Sequence, residues 1–267
     1  MPIAPGAALV TGGARRLGRA MAEALVADGW SVAIHANAST GDADALAAEL
    51  TARGGTVAVV RADLMNEMEV EALVPAAAAA LGAPLSLLVN NASIFEPDAI
   101  GGLTRRSWDR AIETNLRAPV TLTQAFAAQA PQAVPDETPG MEGLPLPRAC
   151  VVNMIDQRVW KPVPDFLSYG IAKAGLWSFT QMAAQALAPH VRVCGIGPGP
   201  TMRGIRQSEE HFAAQRASTL LERGAGPADI IGGLRYILAA DGFTGQMLAL
   251  DGGQHLAWKT PDATLPE

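Results

Sequence analysis

Cysteine, positive charge and long hydrophobic runs are all scarce in this sequence. Cys150 and Cys194 are its only two cysteines, and each lies in an apolar run, which favours buried reduced thiols and a reducing compartment over a disulfide. The net charge is -6 and no stripe of lysine and arginine stands out, so no nucleic-acid partner is expected. Because no apolar stretch could span a bilayer and no signal peptide is recognisable, we expect a cytoplasmic protein without a membrane partner.

What the sequence does contain is a regular series of short apolar runs separated by helical patterns. The predicted strands are residues 7–10, 31–35, 57–61, 85–90, 149–154, 191–196 and 246–250. This alternation predicts an α/β fold, a Rossmann-like doubly wound parallel sheet of about seven strands with helices on both faces. We interpret residues 1–267 as a single domain, with ligands bound at the carboxyl ends of the strands.

Two segments interrupt the alternation. Residues 131–147 contain five prolines and two glycines, so they cannot continue a helix and are predicted to form a surface insertion. Residues 199–226 mix charged side chains with Phe212 and Leu220. We interpret this second segment as a short helical lid over a substrate cleft, with an ordinary loop as the alternative.

A glycine-rich turn at residues 11–18, TGGARRLG, joins the first strand to a helix. Leu17 and Met21 recur there at helical spacing, so the turn places a helix N-terminus beside the end of a buried strand. Unpaired backbone N–H groups and the positive end of the helix dipole meet at that point. The turn therefore predicts a site for the pyrophosphate of a dinucleotide.

The second predicted strand indicates which dinucleotide is bound. It ends at His35 and runs into residues 36–40, which include no acidic residue to accept a hydrogen bond from a ribose 2′-hydroxyl. Arg16, together with Arg15, and Ser39 offer donors to a 2′-phosphate, so NADPH is favoured over NADH. The alternative is that Arg16 is a solvated residue, although a helix N-terminus disfavours a cation without an anion nearby.

Polar residues also follow the third and fourth predicted strands. Asp63 ends the third strand, where it could hold an adenine amino group, and an N-cap for the next helix is the alternative. Asn90, Asn91 and Ala92 end the fourth strand, which is otherwise apolar. We expect these three residues to lie beside the cofactor ribose.

Tyr169 and Lys173 are spaced i and i+4, so on a helix they share one face. A buried tyrosine beside an ammonium group donates its proton more readily than an isolated tyrosine. Four further motifs accompany this pair: the turn at residues 11–18, Asn90–Asn91–Ala92, Asn115 and Pro198–Gly199. With them, the chain resembles the short-chain dehydrogenase/reductase family over nearly its whole length.

The resemblance implies a role for each of these residues. Tyr169 would be the general acid, Lys173 would lower its pKa and hold the nicotinamide ribose, Asn115 would anchor a proton-relay water, and Thr201 would hold the carboxamide. The predicted cofactor-binding residues are Thr11, Gly12, Arg15, Arg16, Leu17, Gly18, His35, Asn37, Ser39, Asp63, Leu64, Asn91, Ala92, Ser93, Tyr169, Lys173, Pro198, Gly199 and Thr201. No metal is predicted.

Asp156 is an informative departure from the family pattern. It stands thirteen residues before Tyr169, where the family normally carries a serine. A carboxylate would repel the developing oxyanion of a ketone, but it suits a substrate that gains positive character or offers N–H donors. The alternative is that Asp156 caps a loop and the protein is inactive.

A narrower resemblance, to the pteridine reductase branch of the family, rests on the arginine in the turn, on Asp156 and on residues 90–95. It implies that Phe95 stacks on a pterin ring and that Ser93 contacts cofactor and pterin. The predicted function is therefore hydride transfer from NADPH to a C=N bond of a dihydropterin, with Tyr169 as proton donor and Asp156 holding the substrate edge. The alternatives are a ketone or 3-oxoacyl reductase and a catalytically silent NADPH-binding protein.

The C-terminal run at residues 244–253 resembles the last strand of the family and the turn after it. Because relatives pack through this region, often as tetramers, the resemblance implies a homo-oligomer, specifically a homotetramer. His255 and Trp258 would either pack on their own subunit, which we favour, or close the active site of a neighbour.

Overall fold

The computed structural model describes residues 3–204 and 206–258. Seven strands form one parallel sheet in the order β3-β2-β1-β4-β7-β8-β9, which confirms the predicted fold class. They are β1 (Ala7–Val10), β2 (Ser31–Ala36), β3 (Val57–Arg61), β4 (Leu85–Asn90), β7 (Ala149–Met154), β8 (Val191–Pro198) and β9 (Met247–Leu250). Each lies within two residues of its predicted bounds.

Helices connect successive strands and cover both faces of the sheet. They are α1 (Arg16–Ala27), α2 (Thr40–Ala52), α3 (Glu67–Leu81), α4 (Arg105–Ile112), α5 (Ala118–Gln129), α6 (Leu167–Leu187), α7 (Glu209–Ala217) and α8 (Pro227–Ala239). A π-helical turn at Glu113–Arg117 joins α4 to α5, and short 3-10 turns occupy Gln157–Val159 and Gln254–Leu256. In the described part of the chain, none of the helices has the length and apolar character of a bilayer span.

The core consists of one apolar layer on each side of the sheet. Met21 and Leu25 of α1 belong to one layer, and Phe126 of α5 belongs to the other. The central strands β1, β4 and β7 are buried along their whole length, as parallel strands covered on both faces should be. Burying an aliphatic side chain stabilises the fold by roughly 1.5–3 kcal/mol, so these layers hold the strand ends at one edge.

The two segments that interrupt the alternation both lie outside this core. Residues 131–147 contain a two-stranded antiparallel hairpin, β5 (Val134–Pro135) with β6 (Pro145–Leu146). Residues 199–226 contain α7, of which no residue is buried. Because α7 has no buried face, its position depends little on packing against the core, which is compatible with the predicted lid. That this segment moves over the cleft stays a prediction.

Candidate active site

A cleft of about 690 Å³ opens at the carboxyl ends of the strands. Among the residues that line it are all the predicted site residues except Thr11 and Asn115. Those two lie just behind its wall, where both are buried. Residues not predicted from the sequence also line the cleft, notably Arg110 and Arg158.

The glycine-rich turn forms one end of the cleft, and it is held by hydrogen bonds to the end of β4. The Thr11 hydroxyl oxygen accepts from the backbone N–H groups of Asn91 and Ala92, at 2.9 and 3.0 Å. The Asn91 amide donates to the Thr11 carbonyl at 2.9 Å. A Cβ atom at Gly18 would collide with the carbonyl oxygen of Gly12, whose φ of +60° itself favours glycine. The turn therefore requires glycine at both positions.

His35 braces the same turn from the other side. Its Nδ1 accepts a hydrogen bond from the Gly12 N–H at 3.1 Å, and its Nε2 lies 3.0 Å from the Ala62 carbonyl oxygen. The Ala62 carbonyl can only accept a hydrogen bond, and the Gly12 N–H can only donate one. The ring is therefore neutral, with its proton on Nε2. Burial lowers the pKa of His35, which favours the same neutral form.

Arg15 and Arg16 diverge, although they are adjacent in sequence. Arg15 contacts Asp42 near the start of α2, on the side of the cleft formed by β2. Arg16, with a φ of 53°, reaches across the cleft and donates to the carbonyls of Met202 and Arg203 at 3.0 and 2.7 Å. Of the two arginines, only Arg15 therefore lies beside the end of β2, where residues 36–40 include no carboxylate.

The remaining strand ends complete this part of the cleft. Asp63 accepts a hydrogen bond from the Met65 N–H at 3.0 Å, and Asn66 rather than Asp63 is the N-cap residue of α3. The interpretation of Asp63 as that N-cap is therefore wrong. Beyond β8, Thr201 donates to the Gly199 carbonyl at 3.1 Å, which fixes the first residues of the predicted lid.

The predicted reacting groups meet at the middle of the cleft. The Tyr169 hydroxyl donates to Oδ2 of Asp156 at 2.7 Å, and Lys173 Nζ donates to the Met154 carbonyl at 2.7 Å. Burial first, and then the charge of Asp156, raise the pKa of Tyr169 well above its ordinary value. Burial lowers the pKa of Lys173 to about 8. The expectation that Lys173 lowers the pKa of Tyr169 is therefore wrong, and the phenol is held protonated beside a carboxylate.

Asn115 supports this centre from the π-helical turn. Its side-chain oxygen accepts from the Ile94 N–H at 2.8 Å, and its side-chain amide donates to the Ile94 carbonyl at 2.9 Å. Both ends of the amide thus hold the loop that carries Phe95, and the predicted role in anchoring a relay water stays a prediction. Isolated π-turns within helices are frequent at functional sites.

Phe95 is part of an aromatic cluster that the sequence did not indicate. Its ring stacks on Phe166, with centroids 4.1 Å apart and planes within 6°, and meets Tyr169 edge-on at 4.8 Å. Phe166 has a φ of +59°, which an L-residue with a bulky side chain rarely adopts. Such strain concentrates at functional sites. A local pattern could not have revealed it, because Phe166 meets Phe95 only through the fold.

The residues of the C-terminal tail that the structure describes contact their own chain. His255 pairs with Asp251, with Nδ1 2.7 Å from Oδ2, and its ring lies 5.1 Å from that of Trp160. Trp258 is 58% exposed. The contacts of His255 agree with the favoured alternative, and a role in a neighbouring subunit is not tested by them.

Comparisons with known proteins agree with this geometry. Residues 6–213 match the family model described as short chain dehydrogenase. Pteridine reductase 1 of Leishmania tarentolae is 32% identical and covers 96% of this chain and 98% of its own length. The 3-oxoacyl-[acyl-carrier-protein] reductase of Synechocystis sp. is 28% identical over 92% of this chain and 95% of its own. The crystal structure of FolM alternative dihydrofolate reductase 1 from Brucella canis, complexed with NADP, superposes with a TM-score of 0.88 at 42% identity, covering 97% and 98% of the two chains.

Proposed function

Because this chain belongs to the short-chain dehydrogenase family, we propose that it is an NADPH-dependent reductase whose substrate is a dihydropterin. The family and the NADP complexes of its structural neighbours support the reductase and the cofactor. The pterin substrate rests on one observation, the hydrogen bond of 2.7 Å between the Tyr169 hydroxyl and Asp156.

That hydrogen bond favours a C=N bond over a ketone. Reduction of a ketone develops negative charge on oxygen beside the catalytic phenol, and the Asp156 carboxylate would destabilise that charge. A ring nitrogen that receives a proton gains positive character, and the same carboxylate stabilises it. A carboxylate also accepts hydrogen bonds from the amino and ring N–H groups of a pterin.

The residues present fit a phosphorylated dinucleotide. Gly18 has no side chain and lies against the Gly12 carbonyl, where a Cβ would collide. The turn therefore packs closely on the start of α1, whose backbone N–H groups could hold phosphate oxygens. Within the described residues the Lys173 ammonium donates one hydrogen bond, so its other N–H donors are available to ribose hydroxyls. NADPH, when bound, supplies the hydride for the carbon of the C=N bond.

The protein then supplies the proton and the orientation. Tyr169 transfers its hydroxyl proton to the ring nitrogen, and its raised pKa means that the phenol keeps this proton until the substrate accepts it. Asp156 holds the substrate edge, and Phe95 offers an aromatic face on which a flat ring stacks. Holding ring and cofactor in contact removes translational freedom that a bimolecular reaction must lose.

We assign the 2′-phosphate to Arg15 rather than to Arg16. Arg15 lies on the β2 side of the cleft, where Asn37 and Ser39 also line it. Arg15 pairs with Asp42 but its side chain is 64% exposed, whereas the guanidinium of Arg16 is occupied by the two carbonyls that begin the predicted lid. Arg16 would then secure that segment over the cofactor.

The names of two relatives agree with a pterin substrate. One is named pteridine reductase 1, from Leishmania tarentolae, and the other is FolM alternative dihydrofolate reductase 1, from Brucella canis. Each name refers to a substrate that contains a pteridine ring. The 3-oxoacyl reductases among the relatives supply the alternative function.

A substrate panel with NADPH and NADH tests the proposal. Dihydrobiopterin, dihydromonapterin, dihydrofolate, a 3-oxoacyl thioester and a diketone are compared by following oxidation of the reduced cofactor. We expect turnover of at least one dihydropterin with NADPH, and little with the ketones. Turnover of the thioester alone would establish the alternative reductase, and cofactor binding without any oxidation would indicate a silent binding protein.

The Asp156→Ser variant tests the residue on which the substrate assignment rests. We expect it to abolish pterin reduction in stopped-flow measurements of NADPH oxidation while NADPH still binds. Full retained activity would defeat the role of Asp156. The Asp109→Ser variant, which changes a carboxylate on the surface of α4, is the matched control and should keep full activity.

We also propose a cytoplasmic homotetramer built from single-domain subunits. Ile171 and Met182 of α6 are 43% and 65% exposed, which is compatible with a further contact on that helix. Light scattering coupled to size-exclusion chromatography tests the tetramer. A monomeric mass at micromolar concentration would contradict it.

A further inference from the structure

The side chain of Arg158 stands in the wall of the cleft without a hydrogen-bond acceptor. It is only 22% exposed, and among residues 3–204 and 206–258 no oxygen accepts a hydrogen bond from its guanidinium. A guanidinium carries five N–H donors in a rigid fork. Because these donors line the cleft and have no acceptor among the described residues, they are available to a ligand.

Its surroundings place those donors beside the reacting groups. Nη1 of Arg158 lies 3.7 Å from Oδ2 of Asp156, the oxygen that accepts from Tyr169. The guanidinium carbon is 5.2 Å from the ring centroid of Phe95 and 5.6 Å from that of Phe166. Because those two rings are stacked on each other, the guanidinium lies beside both of them.

The other cation in this wall makes the contrast clear. Arg110 also lines the cleft, but its guanidinium donates to Glu96 at 3.1 and 3.3 Å. The guanidinium of Arg110 is therefore hydrogen-bonded to a carboxylate, whereas that of Arg158 makes only an ion-pair contact of 3.7 Å with Asp156, beyond hydrogen-bond distance.

We propose that Arg158 is a substrate-binding residue that donates hydrogen bonds to an acceptor oxygen of the substrate, next to the N–H groups that Asp156 holds. If the substrate is a pterin, which is the proposed function on which this step rests, Asp156 and Arg158 together bind one edge of the molecule. That edge presents an amino group, a ring N–H and then a carbonyl oxygen, which match a carboxylate followed by a guanidinium. A carboxylate on the substrate tail is the other source of the same acceptor chemistry.

This arrangement selects against rings that carry an amino group in place of the carbonyl. In a 2,4-diaminopteridine the amino donors would meet the donors of Arg158, and the pairing would fail. Arg158 is thus expected to set the preference between 4-oxo and 4-amino rings.

The test compares Arg158→Met and Arg158→Lys with the control Arg110→Met. The carboxylate of Asp156 caps the 3-10 turn by accepting a hydrogen bond from the backbone N–H of Arg158 at 2.8 Å. All of these variants keep that N–H, so the turn is preserved. KM is measured for dihydrobiopterin, whose tail is neutral, and for dihydrofolate, whose tail is anionic. Binding of a 2,4-diaminopteridine to the NADP-loaded protein is measured by fluorescence quenching.

For Arg158→Met we expect KM to rise roughly 10- to 100-fold, the usual loss for a hydrogen bond to a charged group. A rise for both substrates, with binding of the diamino compound unchanged or tighter, identifies the ring carbonyl; a rise for dihydrofolate alone identifies the tail carboxylate. Arg158→Lys should recover part of the loss.

An unchanged KM for both substrates, or an equal rise in Arg110→Met, would overturn the inference. If the wild-type protein reduces only a 3-oxoacyl thioester, the proposed function fails. The role of Arg158 is then decided by the same three variants on the thioester, whose carbonyl oxygens are also acceptors.

Discussion

The two halves of the cleft are built in different ways. The half that we propose for the cofactor, formed by the glycine-rich turn and the ends of β2 and β4, is held by backbone groups and by side chains that bond to backbone, such as Thr11 and His35. In the substrate half, Lys173 and Asn115 also bond to backbone, but the central contacts join side chains from separate segments, as Tyr169 meets Asp156 and Phe95 meets Phe166. Backbone recognition suits a ligand common to a family, whereas side-chain recognition can change with the substrate.

The difference also appears in the electrostatics. In the cofactor half, the neutral ring of His35 links neighbouring backbone groups. In the substrate half, the carboxylate of Asp156 faces a buried phenol, a buried ammonium group and the guanidinium of Arg158. We therefore expect substitutions in the two halves to have separable effects, on cofactor binding in one and on chemistry in the other.

Among four further substitutions, removing the phenolic hydroxyl should have the largest effect. Tyr169→Phe removes the proposed general acid, so we expect kcat to fall by roughly 10²- to 10⁴-fold. The Kd for NADPH should change only a few-fold, because one hydrogen bond contributes about 1 kcal/mol. Steady-state rates and a fluorescence titration measure the two quantities. A loss of NADPH affinity as large as the loss of kcat would show that the halves are not separable.

Neutralising Asp156 should shift the pH profile as well as the rate. The negative charge of Asp156 raises the pKa of both Tyr169 and Lys173, so Asp156→Asn lowers both. The phenol then loses its proton, and the ammonium its charge, at lower pH. We expect kcat to fall about 10- to 100-fold and its high-pH limb to move to lower pH, measured between about pH 6 and pH 10. A limb that stays in place would contradict the coupling; Asp109→Asn is the control.

In the cofactor half, Gly18→Ala should damage both stability and NADPH binding. The added Cβ would collide with the Gly12 carbonyl, so the turn must open. We expect the free energy of unfolding to fall by about 2 kcal/mol, measured by denaturant titration. Gly232→Ala in α8 is the matched control, because nothing lies within 4 Å of its added Cβ. It should be neutral or stabilising by up to about 1 kcal/mol.

The smallest effect should distinguish the two adjacent arginines. Arg15→Ala should weaken NADPH binding about fivefold and leave NADH binding unchanged. The effect should be small because the Arg15 side chain is 64% exposed and already pairs with Asp42. Arg16→Ala should leave the ratio of the two affinities unchanged. Calorimetric titration with both cofactors measures the ratio, and the opposite pattern would return the 2′-phosphate to Arg16.

The same contrast explains what could be predicted from the sequence. The strands and the turn at residues 11–18 depend on local apolar patterns and glycines, so they were predicted to within two residues. Phe166 and Arg158 were missed because their partners in the cleft come together only through the fold, and an aromatic residue gives no local sign of a positive φ. The directions of Arg15 and Arg16 depend likewise on residues distant in sequence.

The tautomer of His35 sets an acid limit on the molecule. A second proton on Nδ1 would turn its hydrogen bond with the Gly12 N–H into a repulsion between two donors. Because burial lowers the pKa of this ring in the folded state, its contribution to stability is complete above about pH 6.5 and is lost as the pH falls through the lowered value. Acidification would therefore loosen the glycine-rich turn, where we propose that the pyrophosphate binds, while Tyr169 kept its proton.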